Sequence, residues 1–195
     1  MKKRVLQITP IVLLGITVLL SACSKLSDEP WNQMAQSGKA LTDNPSVSVD
    51  CNYNTILTDA EIEGLLNMRE EEKVARDVYL FFYERYRMLI FKNIAESEQN
   101  HMDAVLALIE GYGLQDPAYE AAGEFTEHFQ QLYNDLIAKG TDLVEAYKVG
   151  VEIEKMDIAD LEIYLSETDV TNIVQVYTFL LSGSENHLKA FESIL

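Results

Sequence analysis

Four long segments of this chain each carry an apolar stripe at alternating spacings of three and four. Polar residues break every stripe, and only near its middle. The first stripe runs Leu65, Met68, Glu72, Ala75, Tyr79, Phe82, Tyr86; the second runs Phe91, Ile94, Glu98, His101, Val105, Leu108, Tyr112. The third runs Val144, Tyr147, Val151, Glu154, Ile158, Leu161, Leu165; the fourth runs Ile173, Tyr177, Leu180, Ser184, His187, Phe191, Ile194. Such spacing turns one helix face toward a shared core, and it predicts four long helices, about 59–87, 90–112, 142–167 and 171–194. Thr58 with Glu61 reads as a capping box, and Gly111-Tyr-Gly113 before Asp116-Pro117 reads as a helix stop.

Between the second and third segments lie residues 113–141, where Phe125, Phe129, Leu132, Leu136 and Ile137 recur at helical spacing. A shorter amphipathic helix is expected there. Short links make the first two helices antiparallel neighbours, and likewise the last two. The expected fold is all-α: a four-helix bundle whose long crossover carries a short extra helix, the topology of ferritin-like folds.

The interruptions of the stripes are Glu72, then Glu98 with His101, then Glu154, then Ser184 with His187. Counted from the expected helix ends at about 1.5 Å per residue, their heights differ by on the order of 10 Å or less, so they can meet in one layer. Three carboxylates and two imidazoles in an apolar core need compensation, since each unpaired buried carboxylate costs several kcal/mol. One or two divalent ions would supply it, and Glu98 with His101 at i, i+3 face the same way on one helix. Carboxylate with imidazole suits iron, manganese or zinc. The alternative is a buried ion-pair layer, with Arg76, Lys73 or Lys155 near the carboxylates in sequence.

Glu72-Lys-Val-Ala-Arg-Asp-Val-Tyr79, Ile94-Ala-Glu-Ser-Glu98-Gln-Asn-His101 and Glu154 resemble the metal-binding helices of ferritin and rubrerythrin-like proteins. Met68-Arg-Glu-Glu-Glu-Lys73, Ser97-Glu-Gln-Asn-His-Met-Asp-Ala104, Tyr112-Gly-Leu114, Asp157-Ile-Ala-Asp-Leu161 and Gly183-Ser-Glu-Asn-His-Leu188 are more closely similar to a prokaryotic ferritin-like family of unknown function, over about residues 60–193. The resemblance implies metal ligation by Glu72, Glu98, His101, Glu154 and His187, and no established reaction. Ser184 departs from it, standing where a di-iron protein has the carboxylate of its second Glu-x-x-His. That puts a symmetric di-iron centre in question and leaves one ion or two open. Asp157, three residues after Glu154, is a candidate replacement; Ser184 and Tyr79 are further candidates for contact with the ion or its ligands. No catalytic residue is assigned.

Ahead of the helices, Met1-Lys-Lys-Arg4, an apolar run over 5–20 and Leu20-Ser-Ala-Cys23 read as a signal peptide, and the ending resembles a bacterial lipobox. Cleavage before Cys23 and lipidation of that residue are expected, with 1–22 removed, 23–57 a flexible tether from Cys23, and 58–195 the folded domain. Cys51 is then the one free thiol. With 15 Lys and Arg against 32 Asp and Glu, a formal charge of −17, nucleic acid is not an expected partner. The expected partners are the membrane, through lipidated Cys23, and an electron donor, with a homodimer left open. The expected location is the bacterial cell envelope, outside the cytoplasm.

These readings converge on a lipid-anchored metal-binding protein with iron as the expected metal, manganese and zinc being the alternatives. Any reaction would be redox: oxidation of Fe(II), or reduction of peroxide or dioxygen. The rival is a non-enzymatic envelope bundle whose polar layer is structural or serves a partner-binding scaffold.

Overall fold

A computed structural model describes residue 50 and residues 52–195 of the chain. The expected signal peptide, Cys23, Cys51 and the tether up to residue 49 lie outside the described residues. Among the described residues there are five helices and no strand: α1 Asp59–Tyr86, α2 Leu89–Gly111, α3 Glu127–Lys139, α4 Leu143–Glu167 and α5 Thr171–Glu192. None of them is long and apolar enough to cross a membrane.

The helix ends fall where the local chemistry puts them. Thr58 Oγ1 accepts the Glu61 backbone N–H at 3.2 Å, and the Glu61 carboxylate accepts the Thr58 N–H at 2.8 Å. This reciprocal pair satisfies donors that α1 cannot. Arg87, in the left-handed conformation at φ 55, donates its N–H to Tyr83 and turns the chain straight into α2. At the far end of α2, Leu114 N–H bonds Ile109 O at 2.9 Å and Gly113 N–H bonds Glu110 O at 3.0 Å. Those two bonds close a Schellman cap around Gly113, whose φ of 69 disfavours any residue with a Cβ.

The connection from α2 to α3 is pinned along one face of α1. Arg69 forks onto Asp116, with Nη2 at 2.9 Å from Oδ2. The Glu70 carboxylate accepts the Thr126 N–H at 3.1 Å and its hydroxyl at 2.7 Å. Lys73 Nζ donates to Asp77 Oδ2 at 2.9 Å and to the carbonyls of Ala121 and Glu124, both at 3.0 Å. Its ammonium also stands 4.0 Å over the Phe125 ring, a cation–π contact strengthened by burial. Phe129 and Leu136 then seat α3 against α1 and α4.

α1 packs along α2 and α4 along α5, and the pairs join through α1 against α4 and α2 against α5. The interior they share is split into two apolar clusters. One holds Val74, Tyr79, Phe82, Phe91, Ile94, Ile153 and Phe191; the other holds Met68, Ala104, Leu108, Leu161, Ile173 and Leu180. On each long helix the polar interruption lies between its contributions to the two clusters.

The third stripe is kept at Tyr147, Glu154 and Leu161, but Val144 at the start of α4 is exposed, and Gly150 and Ile153 are buried beside the stripe. A Cβ at Gly150 would come within 2.7 Å of the Phe191 ring, so glycine lets α4 approach α5 closely there. At the other end of the bundle, the described residues before α1 lie against it. The Tyr53 ring sits edge-on to Tyr112 at 5.1 Å, and Asn172 donates to the Asn52 carbonyl at 3.3 Å.

Candidate metal centre

The layer between the two clusters brings together Glu72 from α1, Glu98 and His101 from α2, Glu154 from α4 and His187 from α5, all buried. His101 Nδ1 stands 2.8 Å from Glu98 Oε2 and 3.2 Å from Glu72 Oε2. His187 Nδ1 stands 2.9 Å from Glu98 Oε1 and 3.5 Å from Glu154 Oε2. Two ligand groups result, Glu72–Glu98–His101 and Glu98–Glu154–His187, each with ligand atoms within 4.8 Å of one another. Glu98 belongs to both, one carboxylate oxygen to each.

The sequence suggested Arg76, Lys73 or Lys155 as an alternative source of compensation, and among the described residues no Lys or Arg forms an ion pair with these carboxylates. Arg76 is bound to Asp77 and Gln99, Lys73 to Asp77, and Lys155 to Glu192. The two imidazoles are therefore the cations at hand for Glu72, Glu98, Glu154 and the adjacent Asp157.

Polar atoms of the layer are also left over. Glu72 Oε1, Glu98 Oε1 and His187 Nδ1 are buried without a hydrogen-bond partner. Glu98 Oε1 and His187 Nδ1 are close in distance but misaligned for a hydrogen bond. Atoms that face a common point rather than one another are what a metal site requires, and buried orphans otherwise cost about 1–3 kcal/mol each. The donor set fits one or two divalent ions on these grounds.

Burial and crowding displace the ionisations. Burial pushes the Glu72 carboxyl up to about 8 against the pull of His101, and burial with the Glu98 charge lifts Glu154 to about 6. Glu98 goes the other way: burial would raise it, but His187 and His101 on either side hold it far below the usual carboxylate range. Burial would lower His187, yet Glu98 beside it raises the imidazole to about 10. His101 is likewise raised, against its burial, by Glu72 and Glu98. Without an ion, the layer holds protons on groups that a cation would discharge.

Neighbouring residues fix the orientation of these groups. The Tyr79 hydroxyl donates to Glu154 Oε1 at 2.5 Å. His187 Nε2 lies 3.0 Å from Ser97 Oγ; with a proton kept on that side, Nδ1 would face inward as a lone pair once it gives up its own proton. Ser184 is buried and bonds the Asp157 carboxylate and the Leu180 carbonyl. Asp157 thus stands beside the layer, tied to the position whose carboxylate is missing, outside both ligand groups. A Cβ at Gly183 would overlap His101 Nε2, so glycine gives that imidazole its room. Gly183 and Ser97 open two of the motifs quoted from the sequence, but no role is read for them there; their places depend on approach between helices that periodicity does not report.

Three comparisons bear on the chain. Residues 61–195 match the family described as an uncharacterized protein domain, DUF2202. An uncharacterized protein of Methanocaldococcus jannaschii, MJ0754, is 50% identical over 142 residues, which span 71% of this chain and 77% of that protein. The crystal structure of hypothetical protein MJ0754 superposes with a TM-score of 0.71 at 49% identity, covering 73% of this chain and 83% of that one.

Proposed function

The chain belongs to the DUF2202 family, and we propose that it is a ferritin-like, lipid-anchored metal-binding protein of the cell envelope. Glu72, Glu98 and His101 would hold one divalent ion, and Glu98, Glu154 and His187 a second. The observation that carries this reading is the position of Glu98, whose two oxygens face imidazoles on opposite sides at 2.8 and 2.9 Å. A carboxylate so placed can bridge two ions even though Ser184 supplies no second bridge.

Mixed carboxylate and imidazole ligands in a site closed to bulk water favour iron, which would supply one-electron redox chemistry with dioxygen or peroxide. The residues of this chain would orient and neutralise: Glu98 shared between positions, His187 aimed by Ser97, Glu154 held by Tyr79. The ferritin-like assignment is supported by four long helices with one long crossover, and the anchor by the lipobox-like Leu20-Ser-Ala-Cys23.

The test is metal content. The protein, prepared without a histidine tag, is incubated anaerobically with Fe(II), desalted and assayed by plasma mass spectrometry. About two ions per chain, lost in Glu98→Ala/His101→Ala, is the expected result. An intact helical protein that retains no iron, manganese or zinc would overturn the proposal. Oxygen consumption on adding Fe(II) then tests the redox part separately.

A further inference from the structure

We propose that the cavity enclosed by α1, α3 and α4 is the passage by which a divalent cation reaches and leaves the buried layer, an inference that rests on the metal-binding reading above. The cavity has a volume of about 220 Å³. That is room for several waters at about 30 Å³ each, enough for an ion with part of its hydration shell. Most of its wall is apolar, and its ionisable lining is the carboxyl groups of Glu71, Asp157 and Asp160, with the exposed His128 at its edge and no Lys or Arg. Burial, with Asp160 and Asp157 nearby, pushes the Glu71 carboxyl up to about 8, and its Oε2 is buried with no hydrogen-bond partner.

Asp157 links this cavity to the centre. It lines the cavity, bonds Ser184 inside the layer, and acts electrostatically on Glu72, Glu98 and Glu154. Glu71 precedes Glu72 on α1, and Asp157 follows Glu154 by one turn of α4. The carboxylates therefore continue outward along α1 and α4, two of the four helices that contribute ligands. Where its carboxyls are ionised, a cleft lined by one sign of charge between low-dielectric walls concentrates counter-ions and raises their on-rate by about 10- to 1,000-fold. Such a route is useful to a buried site that must be loaded after folding.

The experiment follows Co(II) binding to the full chain through its visible absorption in a stopped-flow instrument. It compares the wild type with Glu71→Gln/Asp160→Asn, which keeps shape and removes charge, and with Met156→Trp, which fills the cavity. The final amount of Co(II) bound should be unchanged in both. At about pH 8.5, where Glu71 is ionised, uptake should slow about 10-fold or more in the charge variant and lose much of its salt dependence. In Met156→Trp, uptake and chelator-driven release should slow by the same factor, because a blocked passage alters neither end state. Wild-type rates in the charge variant and the filled variant, with full loading, would overturn the passage and leave the metal site standing. No Co(II) uptake by the wild type would instead sink the metal reading, and the passage with it.

Discussion

Glu98 Oε1 and His187 Nδ1, on α2 and α5, stand 2.9 Å apart yet do not make a hydrogen bond. The other oxygen of the same carboxylate faces His101 at 2.8 Å. If both sides receive an ion, the single-residue variants should differ in kind. Glu98→Ala should lose both ions, whereas Glu72→Ala should retain the one held by Glu154 and His187. Metal-to-protein ratios by mass spectrometry check this. Equal losses in the two variants would mean that Glu98 is not shared.

Acidity should stabilise the metal-free protein. The folded-state ionisations of Glu72, about 8, and Glu154, about 6, lie above the ordinary 4.5. Their contribution is complete below about 4.5 and lost as pH rises through those values. His187, raised from 6.5 to about 10, adds loss in the same direction above about 6.5. Glu98 is lowered, so its contribution disappears only in acid below the ordinary carboxylate range. Melting temperatures in chelator should therefore fall from about pH 5.5 to about pH 8.5. Added metal, which replaces those protons, should flatten or reverse the trend. A metal-free protein that melts higher at the alkaline end would contradict the electrostatics described here.

The five ligand candidates were legible because a carboxylate or imidazole in an apolar stripe stands out at a spacing of three or four. The helix ends were legible for an equally local reason, the chemistry of Thr58 with Glu61 and of Gly113. In the sequence Arg69 and Glu70 stand only within the family-like motif Met68-Arg-Glu-Glu-Glu-Lys73, and Lys73 is a candidate partner of the buried carboxylates. Their partners are Asp116, Thr126 and two loop carbonyls, in a segment with no periodicity to give its position. Asp157 was half legible: its spacing from Glu154 suggested the layer, but its bond to Ser184 depends on how α4 is rotated.

Lys73 should matter to the fold more than to the metal. Its ammonium is buried with Asp77 and two carbonyls, and breaking such a pair costs on the order of 3–5 kcal/mol. Arg76 remains beside Asp77 at 2.8 Å, so Lys73→Met should fall at the lower end, about 3 kcal/mol. Urea denaturation of the metal-free protein measures this, and metal stoichiometry should be retained. Asp116→Ala leaves the buried Arg69 guanidinium with the Met102 carbonyl alone and should lose about 1–3 kcal/mol.

Tyr79→Phe removes the single hydroxyl that orients Glu154. Loss of such a supporting hydrogen bond weakens a metal site by about 10- to 100-fold. The effect should be confined to the ion bound by Glu154 and His187, leaving the other position unchanged in competition with a chelator. An equal weakening at both positions would show that Tyr79 acts through general packing against Phe91 and Phe191, with which its ring is in contact.

Gly183→Ala is the sharpest probe of how closely α5 must approach α2. The added Cβ would overlap His101 Nε2, and neither can move far: the imidazole is held by Glu72 and Glu98, and the glycine lies within α5. Overpacking of this kind costs about 1–3 kcal/mol. Here part of it should appear as displacement of His101 from its ligand position. The variant should fold with a lowered melting temperature and lose the ion bound by Glu72, Glu98 and His101 before the other. The Co(II) absorption band of the occupied sites reports that loss directly. A Gly183→Ala protein with wild-type stability and both ions would mean that the layer has more slack than these distances allow.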